Sequence, residues 1–311
     1  EGFSIPEHYG DYSGYTAPSE SEHDMFQVGH TSTSISLAIG LAKARDLKGE
    51  NYNVVAIIGD GSLSGGEALE GLNVAGEMNT NLIIVVNDND MSISENHGGM
   101  YKGLKDLRES DGLCPVNIFR AMGLDYVFVK DGNNIDKMID VLSKVKDNPK
   151  PVVVHAVTLK GKGYKFAEEN KEAFHWHMPF DIATGQSPSS GGYNYTSATV
   201  EYLLKKAKED PTLMVLAAGS AGANGLNPQV RQELGKQFLD VGIAEETAVA
   251  IASGLARNGA KPVFPIASTF IQRAYDQISQ DVCINKSPIT LLIGGASILV
   301  NYGFRASTYD I

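Results

Sequence analysis

Short apolar runs alternate with helix-patterned stretches along most of this chain, and that alternation limits the fold more than any other feature. The segments "NVVAIIGD" (53–60), "NLIIVVNDN" (81–89), "LDYVFV" (124–129) and "PVVVHAVT" (151–158) are rich in β-branched residues and short, as buried strands are. Between them stand helical patterns: 32–47, with Ile35, Leu37, Ala38, Leu41 and Ala42 at helical spacing; "GGEALEGLNVAGEM" (65–78), in spite of Gly71 and Gly76; "PVNIFRAMG" (115–123); and "NIDKMIDVLSKVKD" (134–147). Strand, helix and strand in repetition predict a parallel sheet with helices on both faces. Residues 1–28, rich in Gly, Ser, Tyr and acid, read as loop.

A Gly/Ser-rich connector, "GQSPSSGGYNYTS" (185–197), interrupts the pattern. Then it resumes. A helix over 196–210 has Thr196 or Ser197 as its expected N-cap. Strands follow at 213–220 and 237–242, a helix over 244–259 ending in a Gly cap, a strand over 261–267, one helix over 269–284, and a strand over 289–295. The fold class is therefore α/β, with two mainly parallel units in tandem, 1–190 and 191–311.

The 311 residues suffice for two such units, and 42% apolar content supports packed cores. A net charge of −11 argues against a nucleic-acid partner, which needs a basic face for phosphates. Cys114 and Cys283 are far apart and in no metal-ligand spacing, so they read as free thiols of a reducing compartment. No signal peptide or membrane-length apolar run is visible, which makes the expected location cytoplasmic and off the membrane. The first residues lack an initiator Met and "RASTYDI" stops without a tail composition, so a fragment is expected.

Two strand ends carry unusual oxygen ligands. Gly59-Asp60-Gly61 follows the first strand, and Asn87-Asp88-Asn89 follows the second after 25 intervening residues. In a parallel sheet, ligands bind outside the carboxyl ends of the strands. Glycines there let a ligand approach the backbone, and amides before a helix suit an anion. Asp60 would repel a phosphate unless a cation lay between, and Mg²⁺ accepts carboxylate, carbonyl and phosphate oxygens together. Asp60, Asn89 and a backbone carbonyl at Met91 are the candidate ligands. A lone Gly-Asp-Gly is usually just a turn; the pair at this spacing is far more specific. A dinucleotide fingerprint would place its acid after the second strand, not inside the glycine turn.

The stretch "GDGSLSGGEALEGLNVAGEM…VVNDNDMSISEN" resembles the 1-deoxy-D-xylulose-5-phosphate synthases of the transketolase superfamily. So do "SESEHDMFQVGHTSTSISLAIGLA", "LKGKGYKFAE", "DVGIAEETAVAIASGLA" and "STFIQRAYDQISQDV". The likeness runs from about Tyr12 to about Gly294. It implies thiamine diphosphate and Mg²⁺ as cofactors, bound between a diphosphate-binding and a pyrimidine-binding domain, commonly in a homodimer. Glu245 matches the glutamate that hydrogen-bonds ring nitrogen N1′ and makes the 4′ position an internal base for the thiazolium C2 proton. His30 and Ser32 would line the diphosphate and thiazolium side, Gly61 and Ser62 would contact diphosphate, and Lys160 would neutralise cofactor or substrate phosphate. Phe270 would stack on the pyrimidine, and Arg273 would meet pyrimidine-side or substrate groups. His175 in "FHWH" would transfer protons with the substrate; a metal pair with His177 lacks supporting acids or cysteines. Glu246 reads as structural. Without the resemblance, Glu245 is equally a helix dipole partner, Phe270 a core residue, and Lys160 and Arg273 surface cations.

The implied reaction is a decarboxylating condensation of pyruvate with glyceraldehyde 3-phosphate, feeding isoprenoid, thiamine and pyridoxal pathways. Three departures bear on it. The family has a histidine-bearing segment before residue 1. It has Tyr where Ala267 stands. After the last strand it has Asp and Thr-His, where this chain has Arg305 in "ASILVNYGFRASTYDI". The rest of the second domain and the family's C-terminal domain are also missing. The second and third departures touch the acceptor-phosphate and proton-transfer side, not the cofactor side, so a transketolase-like ketol transferase, or a cofactor-binding paralogue without turnover, stands as an alternative.

Overall fold

The structure, a computed structural model, describes residues 15–175, 179–187 and 192–295. Residues 1–14, His177, the 190/191 boundary and the tail with Arg305 lie outside the described residues.

Two four-stranded parallel sheets are present among the described residues. The first contains β1 (Val55–Gly59), β2 (Ile83–Asp88), β3 (Asp125–Val129) and β4 (Val152–Val157), in the order β1-β2-β4-β3. Successive side chains of a strand point to opposite faces, so each strand feeds two cores. Ala56, Ile58, Ile84, Val86 and Val153 pack under α1 (Ser34–Lys48), α2 (Gly66–Ala75), α3 (Met100–Glu109) and α4 (Ile118–Ala121). Ile83, Val85, Val152 and Val154 pack under α5 (Ile135–Val145). Fully burying each of these aliphatic side chains contributes ~1.5–3 kcal/mol. A short α6 (Lys165–Glu169) follows.

The second sheet contains β5 (Leu213–Ala217), β6 (Phe238–Asp240), β7 (Lys261–Ala267) and β8 (Thr290–Gly294), in the order β6-β5-β7-β8. Val215, Ala217 and Val263 join the core holding Leu203 of α7 (Tyr195–Glu209) and Val230 of α8 (Pro228–Leu234). Leu216, Phe264 and Ile266 pack under α9 (Glu245–Arg257). Helices thus cover both faces of each sheet, as the alternation predicts. No helix among the described residues is long and apolar enough to cross a membrane.

Several local expectations need correction. Among the described residues β1 is an edge strand paired only with β2, and α5 does not extend over its second face. Val55 and Ile57 are therefore 47% and 68% exposed, so the run is buried on one face only. α1 starts at Ser34, because Ser32 has a left-handed φ of 80°. The cap of α7 is Asn194, whose Oδ1 accepts from the Ser197 N–H at 3.0 Å, earlier than Thr196 or Ser197. The expected single helix over 269–284 changes pitch: α10 (Ser268–Ile271), a 3₁₀ turn, one α turn, then a π segment over Ile278–Ile284. The Ser253 hydroxyl donates to the Asp281 carbonyl at 2.7 Å, which draws that carbonyl out of a regular ladder. Gly76 survives at the end of α2 because a Cβ there would lie 1.8 Å from the Met122 carbonyl oxygen.

Candidate active site

Asp60 leaves β1 as the N-cap of a 3₁₀ turn, Gly61–Ser64. Gly59 pairs with Asn87, and the Asp60 N–H donates to the Asn87 carbonyl at 3.1 Å, so the ends of β1 and β2 are level. Asp60 is only 1% exposed. Its Oδ2 accepts from Asn96 Nδ2 at 2.7 Å, while Oδ1 is buried without a hydrogen-bond partner. Oδ1 of Asn89 is likewise buried and unpartnered. Burial, and then the negative charge of Asp88, push the Asp60 carboxyl up to about 7.

Measured from the ordinary value of 3.8, that shift penalises the charged form by ~4 kcal/mol. A hard cation between the two oxygens would remove both the penalty and the unmet polar atoms. The donor chemistry, one carboxylate and one amide oxygen, is of the hard oxygen type that Mg²⁺ takes; among the described residues no group of three His, Cys, Asp or Glu side chains is placed to hold a metal ion. Met91 stands on the loop after β2, bridged to Glu95 in antiparallel fashion.

A pH dependence follows. In the cation-free protein Asp60 keeps a proton that the unfolded chain releases between about pH 4 and 7, so its contribution to stability falls as pH rises through that window. Cation binding must expel the proton. Affinity for Mg²⁺ should rise from about pH 5.5 to about 7 and then level off, with about one proton released per ion at the low end. Calorimetry in buffers of differing ionisation enthalpy measures this, and an affinity flat across the window would refute it.

Around this centre the backbone is held closely. A Cβ on Gly61 would lie 2.6 Å from Ser92 Cβ and 2.9 Å from its Cα, so the turn rests directly against the loop carrying Met91. Ser32, 6% exposed, donates through Oγ to the Ser62 carbonyl at 2.8 Å. The buried Tyr101 hydroxyl donates to the Asp60 and Gly61 carbonyls at 3.2 and 3.3 Å, and burial pushes it up to about 12. Lys160 donates to the Ser92 carbonyl, and burial pulls its ammonium below the usual lysine range.

The second sheet supplies the opposite side. Glu245, the first residue of α9, is 3% exposed, and its Oε2 is buried without a hydrogen-bond partner, 3.8 Å from Arg273 Nη1. Burial pushes this carboxyl above its ordinary value, and the Arg273 charge opposes that only in part. Arg273 also donates to Thr31 Oγ1 at 3.3 Å and to the Thr31 carbonyl. His30 Nδ1 accepts from Gln272 Nε2 at 3.2 Å, which leaves Nε2 to donate to Thr269 Oγ1 at 2.9 Å. Its ring lies 5.2 Å from that of Phe270. Ser64 completes the junction: Oγ donates to the Gly61 carbonyl and accepts from the Ile243 N–H, each at 2.8 Å. His175 is exposed on the turn after α6, with its N–H donating to the Glu172 carbonyl at 3.3 Å.

Each unit thus holds buried side-chain oxygens without hydrogen-bond partners: Asp60 Oδ1 and Asn89 Oδ1 on the first, Glu245 Oε2 on the second. A family profile described as 1-deoxy-D-xylulose-5-phosphate synthase matches residues 1–116 and 110–158. The chain belongs to that synthase family. A second profile, the transketolase pyrimidine binding domain, matches residues 192–308. The chain is similar to the 1-deoxy-D-xylulose-5-phosphate synthase of Clostridium tetani, at 42% identity over 323 residues, covering 92% of this chain and 52% of the relative. It is also similar to that of Symbiobacterium thermophilum, at 38% over 339 residues, covering 97% and 52%. The chain thus spans about half the length of these relatives. Among solved structures, a transketolase from Leishmania mexicana aligns over 86% of this chain and 52% of its own at 17% identity, with a TM-score of 0.34.

In this synthase-family chain several site neighbours had no sequence signal. Asn96 and Tyr101 act on Asp60 and its turn through tertiary contact, and Ser64 ties the turn itself to Ile243 of the second unit. Arg231, on the unexpected helix α8, donates to Glu172 twice at 3.1 Å and to Glu95 at 2.9 Å. One 7%-exposed guanidinium from the second unit therefore binds both the loop after β2 and the turn bearing His175.

Proposed function

We propose that this chain carries the catalytic core of a thiamine diphosphate- and Mg²⁺-dependent 1-deoxy-D-xylulose-5-phosphate synthase. The reaction is the decarboxylating condensation of pyruvate with glyceraldehyde 3-phosphate. The observation that carries the reading is the pairing, within one chain, of the Glu245 Oε2 with the Asp60 and Asn89 Oδ1 atoms, all buried and unpartnered. A run of contacts from Glu245 through Arg273, Thr31 and Ser32 to Ser62 links the two groups.

On this reading, residues 1–190 form the diphosphate-binding unit and 191–311 the pyrimidine-binding unit. Asp60, Asn89 and the Met91 carbonyl hold Mg²⁺. Gly61, Ser62, Ser32, His30 and Lys160 meet the diphosphate and thiazolium side, and Phe270 stacks on the pyrimidine. When bound, thiamine diphosphate supplies an electron sink for loss of CO₂ from pyruvate. Glu245, whose carboxyl burial pushes above its ordinary value, would hydrogen-bond ring nitrogen N1′ and so set the proton inventory of the ring. Arg273 orients substrate beside Glu245, and His175 exchanges a proton with the acceptor. The working unit is a cytoplasmic homodimer.

The test is incubation with carboxyl-labelled pyruvate, glyceraldehyde 3-phosphate, thiamine diphosphate and Mg²⁺. Labelled CO₂ and 1-deoxyxylulose 5-phosphate should appear in equal amounts. Ketol transfer from a sugar phosphate without CO₂ release would replace this reading with a transketolase-like one. Cofactor binding without either product would leave a non-catalytic paralogue.

A further inference from the structure

Beside Asn89 lies a charged cluster that none of the roles above uses. Asp88, the last residue of β2, is fully buried. Its Oδ1 accepts from the Asp90 N–H at 3.1 Å and from Arg108 Nη1 at 2.9 Å. Its Oδ2 accepts from the same Nη1 at 2.8 Å and from His155 Nε2 at 2.8 Å. His155, on β4 and equally buried, takes a hydrogen bond at Nδ1 from the Tyr126 hydroxyl at 2.8 Å. The other Arg108 nitrogen, Nη2, lies 2.7 Å from Asp90 Oδ1. A single guanidinium from α3 thus grips the residues on either side of Asn89.

Asp90 has a φ of 61°, in the left-handed region that non-glycine residues enter at a cost. Its side chain is 61% exposed, so core packing does not hold it there. What holds it is the pair of contacts just given: its N–H on Asp88 and its carboxylate on Arg108. Release of either would let the peptide planes flanking Asp90 rotate. Those planes lie between the Asn89 side chain and the Met91 carbonyl.

We propose that Arg108 is a positioning residue that clamps Asp88 and Asp90 and thereby aims Asn89 and Met91 at a cation shared with Asp60. The proposal rests on the cation reading given above. A guanidinium is suited to it, because two nitrogens must reach two carboxylates in fixed directions, which an ammonium does not reproduce.

The test is Mn²⁺ binding in the presence of thiamine diphosphate, followed by the electron paramagnetic resonance signal of the free ion, with near-ultraviolet circular dichroism as the check on folding. Arg108→Gln should weaken Mn²⁺ binding by ~10–100-fold. Adding Asp90→Gly should recover much of that loss, because glycine adopts φ near 61° without strain. A cluster that served stability alone would give no such recovery. Arg108→Lys, which keeps the buried charge balanced, serves in place of the Gln variant if that one does not fold, and should show the same loss and recovery. Unchanged binding in the folded Arg108 variant, or a loss that Asp90→Gly does not repair, overturns the proposal. Asp60→Asn measured in parallel separates the two ideas. If it too binds Mn²⁺ normally, the cation reading itself is wrong; if it alone fails, only the positioning role falls.

Discussion

Asp60→Asn should abolish cation-dependent cofactor binding and, at the same time, stabilise the cation-free protein. The first effect follows from removing the one carboxylate in the candidate donor set. Partners behind a metal ligand typically contribute 10–100-fold in affinity, so loss of the ligand itself should exceed ~100-fold. The second effect follows from burial. Above pH 7 the protein must keep a charged carboxylate at 1% exposure with one oxygen unpartnered. An amide of the same shape removes that charge and can still accept from Asn96. A gain of ~1–3 kcal/mol at pH 8 is expected. The gain should shrink by pH 5 and vanish only below about pH 4, where Asp60 is protonated in the unfolded chain as well as in the folded state, whose carboxyl is raised to about 7. Calorimetric titration with thiamine diphosphate and Mg²⁺, with thermal melts at both pH values, reads all three outcomes. Tight binding by the variant, or a melting temperature that drops at pH 8, would contradict the assignment.

Glu245→Gln should separate binding from chemistry. Glu245 lies on the other unit, so the cation donors stay intact. Exchange of one buried hydrogen bond for another is worth about 1 kcal/mol, and cofactor affinity should change by less than ~10-fold. Turnover should fall by ~10²–10⁴-fold, the usual contribution of a positioned acid or base. A second readout is independent of turnover: deuterium exchange at the thiazolium C2 of bound cofactor, followed by proton NMR, should slow in parallel. Normal exchange in the Gln variant would remove Glu245 from its proposed role. Burial of this carboxyl works in the same direction, since it favours the protonated form that the hydrogen bond to N1′ would use.

The sequence exposed these two residues because both stand where main chain leaves a strand and begins a helical segment. Gly59 and Gly61 frame Asp60, and the spacing to Asn89 is one crossover helix, so local pattern and sheet topology point to the same place. Arg108 and Arg231 had no such address. Each sits on a helix left unread, α3 or α8, and each acts on residues far along the chain, which periodicity does not encode. The same reason hid the pitch change after Phe270: nothing within 269–284 announces it, and the contact on its π segment, the Ser253 hydroxyl on the Asp281 carbonyl, comes from another helix. The half-exposed β1 is not legible in its sequence, because an apolar run tells how sticky a strand is, not how many neighbours it has.

The contacts of Ser64 with Ile243, Arg273 with Thr31, and His30 with Thr269 all run within a single polypeptide. On the proposed reading, each copy then assembles its candidate centre from its own two halves. A copy damaged at Asp60 and a copy damaged at Glu245 would have no sound centre to build between them, whatever their association. In a mixed population, output should decline in direct proportion to the fraction of injured copies, with neither dominance over healthy neighbours nor repair by them.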